Sequence, residues 1–143
     1  MTNKKALSII VLIIICSLLL FGCSQNTDNN EKKELTIDSI KESISGSLGE
    51  GEEFTNIELD GDNVIIHVNL NHKKDDTLPE SELAYSRSSS ITDKLLELKG
   101  WNSVKIIFEE FGEVKLNYDQ HESNETGALY FDYLLIEDNF KEY

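Results

Sequence analysis

The feature that most constrains this chain is a wholly apolar run near one end, cut off from the rest by a wholly polar one. Ala6 to Phe21 is apolar except for Ser8 and Ser17, and it follows Lys4 and Lys5. A run of about 16 residues spans roughly 24 Å as a helix at ~1.5 Å per residue. That is short of the ~30 Å hydrocarbon core that a stable spanning helix must cross. Ser24 to Lys33 then has no apolar residue and no periodicity, so it is expected to bury nothing and stay disordered. The fold must therefore come from Glu34 to Tyr143. That length suits one ordinary domain with a core that needs no metal or disulfide staple. No internal repeat or second linker interrupts it, and Pro79 is the only proline. The expected organisation is a leader over 1–22, a tether over 23–33 and a single domain over 34–143.

A basic start, an apolar stretch and a small residue before a cut site make a secretory signal peptide. Leu20-Phe21-Gly22-Cys23 also resembles the lipobox of bacterial lipoproteins: an aliphatic residue, a tolerated position, a small residue, then cysteine. The resemblance covers residues 1–23 alone. It implies that a dedicated peptidase recognises Leu20, Phe21 and Gly22 and cuts before Cys23, whose thiol carries a diacylglyceryl group. The other reading is an uncleaved signal anchor; in both, Lys4 and Lys5 stay cytoplasmic. Cys16 lies in the discarded segment. Cys23 is then the sole cysteine left, and no disulfide forms although the compartment permits one. The ten-residue tether has an end-to-end distance of roughly 17 Å. Its Asn- and Lys-rich composition is of a kind associated with Gram-positive lipoproteins. The expected location is the extracytoplasmic face of the cell membrane, held by lipid.

Charge narrows the partners. The chain has 13 basic and 27 acidic residues, a formal −14. Loss of residues 1–22 removes Lys4 and Lys5 and no acid, leaving −16. Such a surface repels nucleic acid and anionic headgroups, so no nucleic-acid partner is expected and a cationic peptide or protein is favoured. The plainer reading is that acidity only keeps the domain soluble. Candidate contact acids are Glu50, Glu52, Glu53, Asp60, Asp62, Asp75 and Asp76, all in predicted turns and loops.

Periodicity gives an outline. Ile37, Ile40, Ile44 and Leu48 mark one face of a helix over Glu34 to Leu48, capped by Thr36 and stopped by Gly49. Phe54 to Asn71 reads as a hairpin turning at Asp60-Gly61-Asp62-Asn63. Thr55, Ile57 and Leu59 face one way on its first strand. On its second, Val64, Ile66, Val68 and Leu70 face inward and His67 outward. Pro79 suits the start of a second helix, with Leu83 or Ala84, then Ser88, Ile91, Leu95 and Leu98 as its stripe and Lys99 and Gly100 as its stop. Ser103 to Tyr118 reads as another hairpin, turning at Phe111-Gly112. Leu129 to Ile136 is apolar at nearly every position, which period alone does not divide between strand and buried helix; a final strand is expected, then a short helical or frayed tail after Asp138. The sum is an α+β two-layer sandwich, order α-β-β-α-β-β-β. A mainly antiparallel sheet of four or five strands carries two helices on one face. The helix joining the hairpins crosses over in the right-handed sense if the strands it links are parallel.

Chemistry is sparse. His67, His72 and His121 lack the converging spacing of a zinc site. Ser45 to Gly51 has the glycines of a phosphate loop but no lysine, and it follows a helix instead of opening one. Asp60 to Asn63, and Asp119 with His121, Ser123 and Glu125, supply oxygens without EF-hand spacing. Glu109, Glu110 and Glu113 flank a hairpin tip, where alternation sets Glu109 and Glu110 on opposite faces; paired carboxylates act only at a defined separation. No nucleophile elbow occurs. Most aromatics lie after Gly100, from Trp101 to Tyr143, as core residues or a recognition patch. No metal, cofactor or catalytic residue is expected. The expected role is a monomeric, membrane-anchored, non-enzymatic binding or accessory module. One alternative is an immunity or sequestering protein for cationic peptides or basic enzymes. The other is an envelope hydrolase with an unrecognised carboxylate site.

Overall fold

The computed structural model describes residues 33–73 and 77–143, and Lys32–Tyr143 forms one compact unit. Leu20, Phe21, Gly22, Cys23, the tether up to residue 32, Asp75 and Asp76 lie outside the described residues.

Helix α1, Ile37–Ile44, starts at a reciprocal cap. The Ser39 N–H donates to Thr36 Oγ1 at 3.0 Å and the Thr36 N–H donates to Ser39 Oγ at 2.9 Å, which satisfies two helix-end donors. Ile40 and Ile44 are fully buried, while Ile37 is exposed. The helix is shorter than the expected 34–48 at both ends. Glu34 instead pairs with Lys99 in a short parallel bridge. Ser45-Gly46-Ser47 releases the C-terminus, because these residues favour turns over helix.

Strands β1, Glu53–Asp60, and β2, Asn63–Asn69, pair antiparallel through a two-residue turn in which Gly61 has φ 60°. Val64, Ile66, Val68 and Leu70 are buried as expected. In β1 the alternation breaks: a bulge between Phe54 and Asn56 puts Phe54 opposite Val68 and leaves Thr55 exposed. The expected sharing of one face by Thr55, Ile57 and Leu59 thus fails at Thr55, since one extra residue in a strand reverses every facing before it.

Helix α2, Glu80–Leu95, buries Ala84, Ser88, Ile91, Thr92 and Leu95. The buried hydroxyls bond back along the helix, Ser88 Oγ to the Ala84 carbonyl at 2.8 Å and Thr92 Oγ1 to the Ser88 carbonyl at 2.9 Å. This accounts for a serine-rich middle that remains helical. Leu98 lies beyond the helix, in the bridge to Lys33.

Strand β3, Ser103–Phe108, runs parallel to β2, with Val64 opposite Val104 and Ile66 opposite Ile106. Strand β4, Gly112–Asn117, returns antiparallel. The turn is centred on Glu110, at φ 63°, and Gly112 belongs to the strand. A Cβ there would meet the Lys141 carbonyl oxygen at 2.5 Å. The expected last strand over Leu129 to Ile136 is wrong. Leu129–Tyr130 makes a two-residue bridge with Glu122–Ser123, and helix α3 occupies Tyr133–Asn139. Asp132 Oδ1 accepts from the Leu134 N–H at 2.8 Å, an N-cap that forces helix onto an apolar stretch. The tail after it is strand β5, Phe140–Glu142, on β4. The sheet order is β1-β2-β3-β4-β5 with one parallel pair, and the described element order is α-β-β-α-β-β-α-β apart from the short bridges. The molecule is α+β, with three helices and a mainly antiparallel sheet. α1 packs on β1 and α2, α2 on β3 and α3, and α3 on β4. No helix among the described residues is long and apolar enough to cross a membrane.

Candidate functional site

A groove of about 440 Å³ opens between α1 and the edge of the sheet, lined by Lys41 and Ser45 of α1 and by Phe54, Thr55, Asn56 and Ile57 of β1. Each wall follows from the local sequence. Ile40 and Ile44 fix α1 on the core, which turns Lys41 and Ser45 outward. The bulge turns Phe54 toward the helix, where it stays half-buried, and frees Thr55. Thr55 Oγ1 donates to Glu109 Oε1, and Asn56 Nδ2 donates to Glu58 Oε1 at 2.5 Å. Lys41 makes no ion pair among the described residues.

The loop that delivers the chain from α1 to β1 is clamped. Glu52 accepts from Arg87 Nε at 2.5 Å, from Arg87 Nη2 at 2.7 Å and from the Gly49 N–H at 2.8 Å. Its side chain is only 6% exposed. Paired and hydrogen-bonded, this buried carboxylate is tolerated; alone it would be costly. Glu52 is therefore a structural clamp, not a contact acid. The remaining expected contact acids do not gather in one place. Glu50 and Glu53 sit at one end of β1, Asp60 and Asp62 at the other, roughly 23 Å away at ~3.3 Å per residue.

The outer sheet face has two transverse rows. One is Glu58, Ile65, Lys105 and Lys115; the other is Asn56, His67, Ile107, Glu113 and Lys141. Lys105 and Lys115 are directly opposed, a repulsive pairing in a sheet. Lys105 Nζ instead turns to Glu113, 2.7 Å away. That bond holds the Glu113 carboxyl below its ordinary range, against burial, which pushes the other way.

The other expected sites separate. His67 is half-buried in the second row, His72 Nε2 bonds the Leu78 carbonyl at 2.9 Å, and His121 Nδ1 bonds the Tyr118 carbonyl. Among the described residues no three His, Cys, Asp or Glu converge as metal ligands. Glu109 is held by Thr55 and Glu113 by Lys105, with Glu110 at the strained turn between them. Trp101 is buried, its Nε1 bonding the Leu95 carbonyl at 2.9 Å and its ring edge-on to Tyr118 at 4.9 Å. Tyr130, Tyr133 and Tyr143 each donate a phenol proton to a carboxylate, of Glu122, Glu82 and Glu113. The hydrogen bond to Glu82, with burial, pushes the Tyr133 phenol up to about 12.

Sequence reasoning identified Ile57 and Asn56 as strand residues but not the groove. Only Phe54 at the start of an alternating strand hinted that an apolar side chain needed a partner off the sheet. No protein-family model, curated protein or solved structure matches this chain.

Proposed function

We propose that this is a lipid-anchored, extracytoplasmic protein of a Gram-positive envelope whose single domain binds a partner and performs no catalysis. The lipobox-like Leu20-Phe21-Gly22-Cys23 supports the anchor, with Cys23 as the lipidated residue. The groove between α1 and the edge strand β1 carries the binding role. It combines apolar Phe54 and Ile57, polar Ser45, Thr55 and Asn56, and one lysine. That mixture suits recognition of another polypeptide. We read the domain as a two-layer sandwich with its helices on the inner face of the sheet. A cationic partner, in the manner of an immunity or sequestering protein, is favoured by the net −14.

Metabolic labelling with a fatty-acid analogue tests the anchor. Cys23→Ser should lose all label and accumulate as a longer, unprocessed chain, whereas Cys16→Ser should label normally. Label persisting on Cys23→Ser refutes the assignment. Photocrosslinking from Asn56 in intact cells tests the binding role: the expected product is a covalent adduct at this position and none from Asn124, a residue of the exposed loop. Equal yields from both positions would dismiss the groove.

A further inference from the structure

Resting on the reading of the domain as a binding module, we propose that the free edge of β1 takes up an extended cationic segment of a partner protein as an added strand. Apolar side chains of that segment enter the groove beside α1, and its basic side chains meet the outer-face acids.

The edge itself is the first ground. β1 is eight residues long and ends the sheet, with no strand on its far side among the described residues. Sheet edges left open to solvent are ordinarily blunted by shortness, charged side chains, proline, bulges or cover. The opposite edge follows that rule: β5 is three residues long and carries Lys141. β1 contains neither lysine nor proline; its bulge and its exposed Glu53, Glu58 and Asp60 guard it against neutral and acidic strands and leave it open to a basic one.

Backbone geometry is the second. The two-residue turn makes Asp60 and Asn63 the first opposed pair, which in such a hairpin is hydrogen-bonded. Alternation along an antiparallel ladder then directs the N–H and C=O of Leu59 and Ile57 away from β2. The bulge at Thr55 ends the regular stretch, so Asn56 to Asp60 is the available template. Where it ends, Phe54 and the groove begin.

Charge selects the occupant. Glu53, Glu58 and Asp60 are exposed on β1, which has no basic residue. Directly opposed side chains in a sheet lie ~5 Å apart, where opposite charges stabilise and like charges destabilise. A second copy would set this acidic strand against itself; a lysine- or arginine-bearing strand would complement it. Glu58 lies on the outer face, with Ile65 and Lys105, whereas Ile57 faces the core side with α1. The period of two therefore specifies the partner: basic residues alternating with apolar ones. Lys41 stands on the groove wall, on the side where the apolar residues enter.

The test uses the full chain in non-ionic detergent and a fluorescent eight-residue peptide alternating lysine and valine. Anisotropy reports affinity, and amide hydrogen exchange by NMR reports location. The lysine peptide should bind and a glutamate–valine peptide should not. Glu53→Lys with Glu58→Lys, both at exposed positions, should weaken binding by about tenfold or more, as should high salt. N-methylation of alternate peptide amides should abolish binding, and it decides the matter even if the double variant folds poorly. The Ile57 and Leu59 amides should exchange more slowly in the complex. Binding with those amides unprotected, or unaffected by N-methylation, overturns strand addition while leaving a binding role intact. So does protection that deepens with protein concentration alone, which would assign the edge to a second copy. Absence of lysine-peptide binding also overturns it, whereas the crosslinking test judges the binding role separately.

Discussion

Ile66 and His67 are adjacent in sequence and opposite in fate. Ile66 is fully buried between Ile57 and Ile106, and His67 lies half-buried on the outer face between Asn56 and Ile107. Ile66→Ala removes packed methyl groups and leaves a cavity, so it should cost about 2–4 kcal/mol. His67→Ala should cost less than ~1 kcal/mol. Urea denaturation of both variants checks the register; a larger loss for His67→Ala would show that the strand is turned over. Tyr133 makes a pH-dependent contribution of known sign. Its phenol donates to Glu82 only while protonated, and its folded pKa is raised from 10.0 to about 12. Between these values the unfolded chain has lost the proton that the folded chain keeps. The contribution is therefore complete below pH 10 and lost as pH rises toward 12. Burial first, then nearby Glu137, raises Tyr85, and the bond to Glu122 raises Tyr130. Tyr133→Phe should thus remove part, not all, of the alkaline decline in denaturation midpoint. A Tyr133→Phe midpoint that falls as steeply as the parent's above pH 10 would contradict the Glu82 bond.

At the scale of elements, what could be read in advance depended on whether one local signal acted alone. The β2 face was legible because alternation from Ile66 to Leu70, with His67 and Asn69 between, leaves one solution. The α2 stripe was legible despite its serines, because Ala84, Ser88, Ile91 and Leu95 keep helical spacing. The bulge at Thr55 was not, since a single extra residue leaves composition unchanged and shifts facing only through its partner strand. Nor was α3: Leu129 to Ile136 satisfies a strand pattern, and the deciding residue, Asp132, interrupts it as a cap only once Leu134 turns helical. The groove was not legible either, because it depends on the bulge and on α1 stopping at Ile44. The cap is open to test. Asp132→Ala removes the only side-chain acceptor at the α3 N-terminus and should cost about 1 kcal/mol. Asp132→Asn keeps an oxygen acceptor and should recover most of it. Equal losses in the two variants would mean that Asp132 acts through charge and not as a cap.

At the scale of the molecule, one apolar cluster holds the fold together. It joins Ile40 and Ile44 of α1 to Ile91 and Leu95 of α2, to the inner face of β1 through β4, and to Phe131 and Ile136. Every buried side-chain polar atom among the described residues has a partner. Against this stands charge: 27 acidic residues face 13 basic ones. The described ion pairs are few, and apart from the pair of Glu52 with Arg87 they are largely exposed or half-exposed. Exposed pairs contribute little, whereas a strong net charge destabilises the compact state through self-repulsion. Salt screens both effects, and with so few pairs against so large a net charge the repulsion is expected to be the larger. The protein should therefore unfold in one cooperative transition whose midpoint rises as sodium chloride goes from low concentration to ~0.1 M, where the Debye length is ~10 Å. Since no three metal ligands converge among the described residues, EDTA should leave that midpoint unchanged at every salt concentration. Calorimetry with and without chelator reads both effects at once. A midpoint that falls with added salt would mean that ion pairs outweigh repulsion, and a drop with EDTA alone would reveal a bound cation holding some of those acids together.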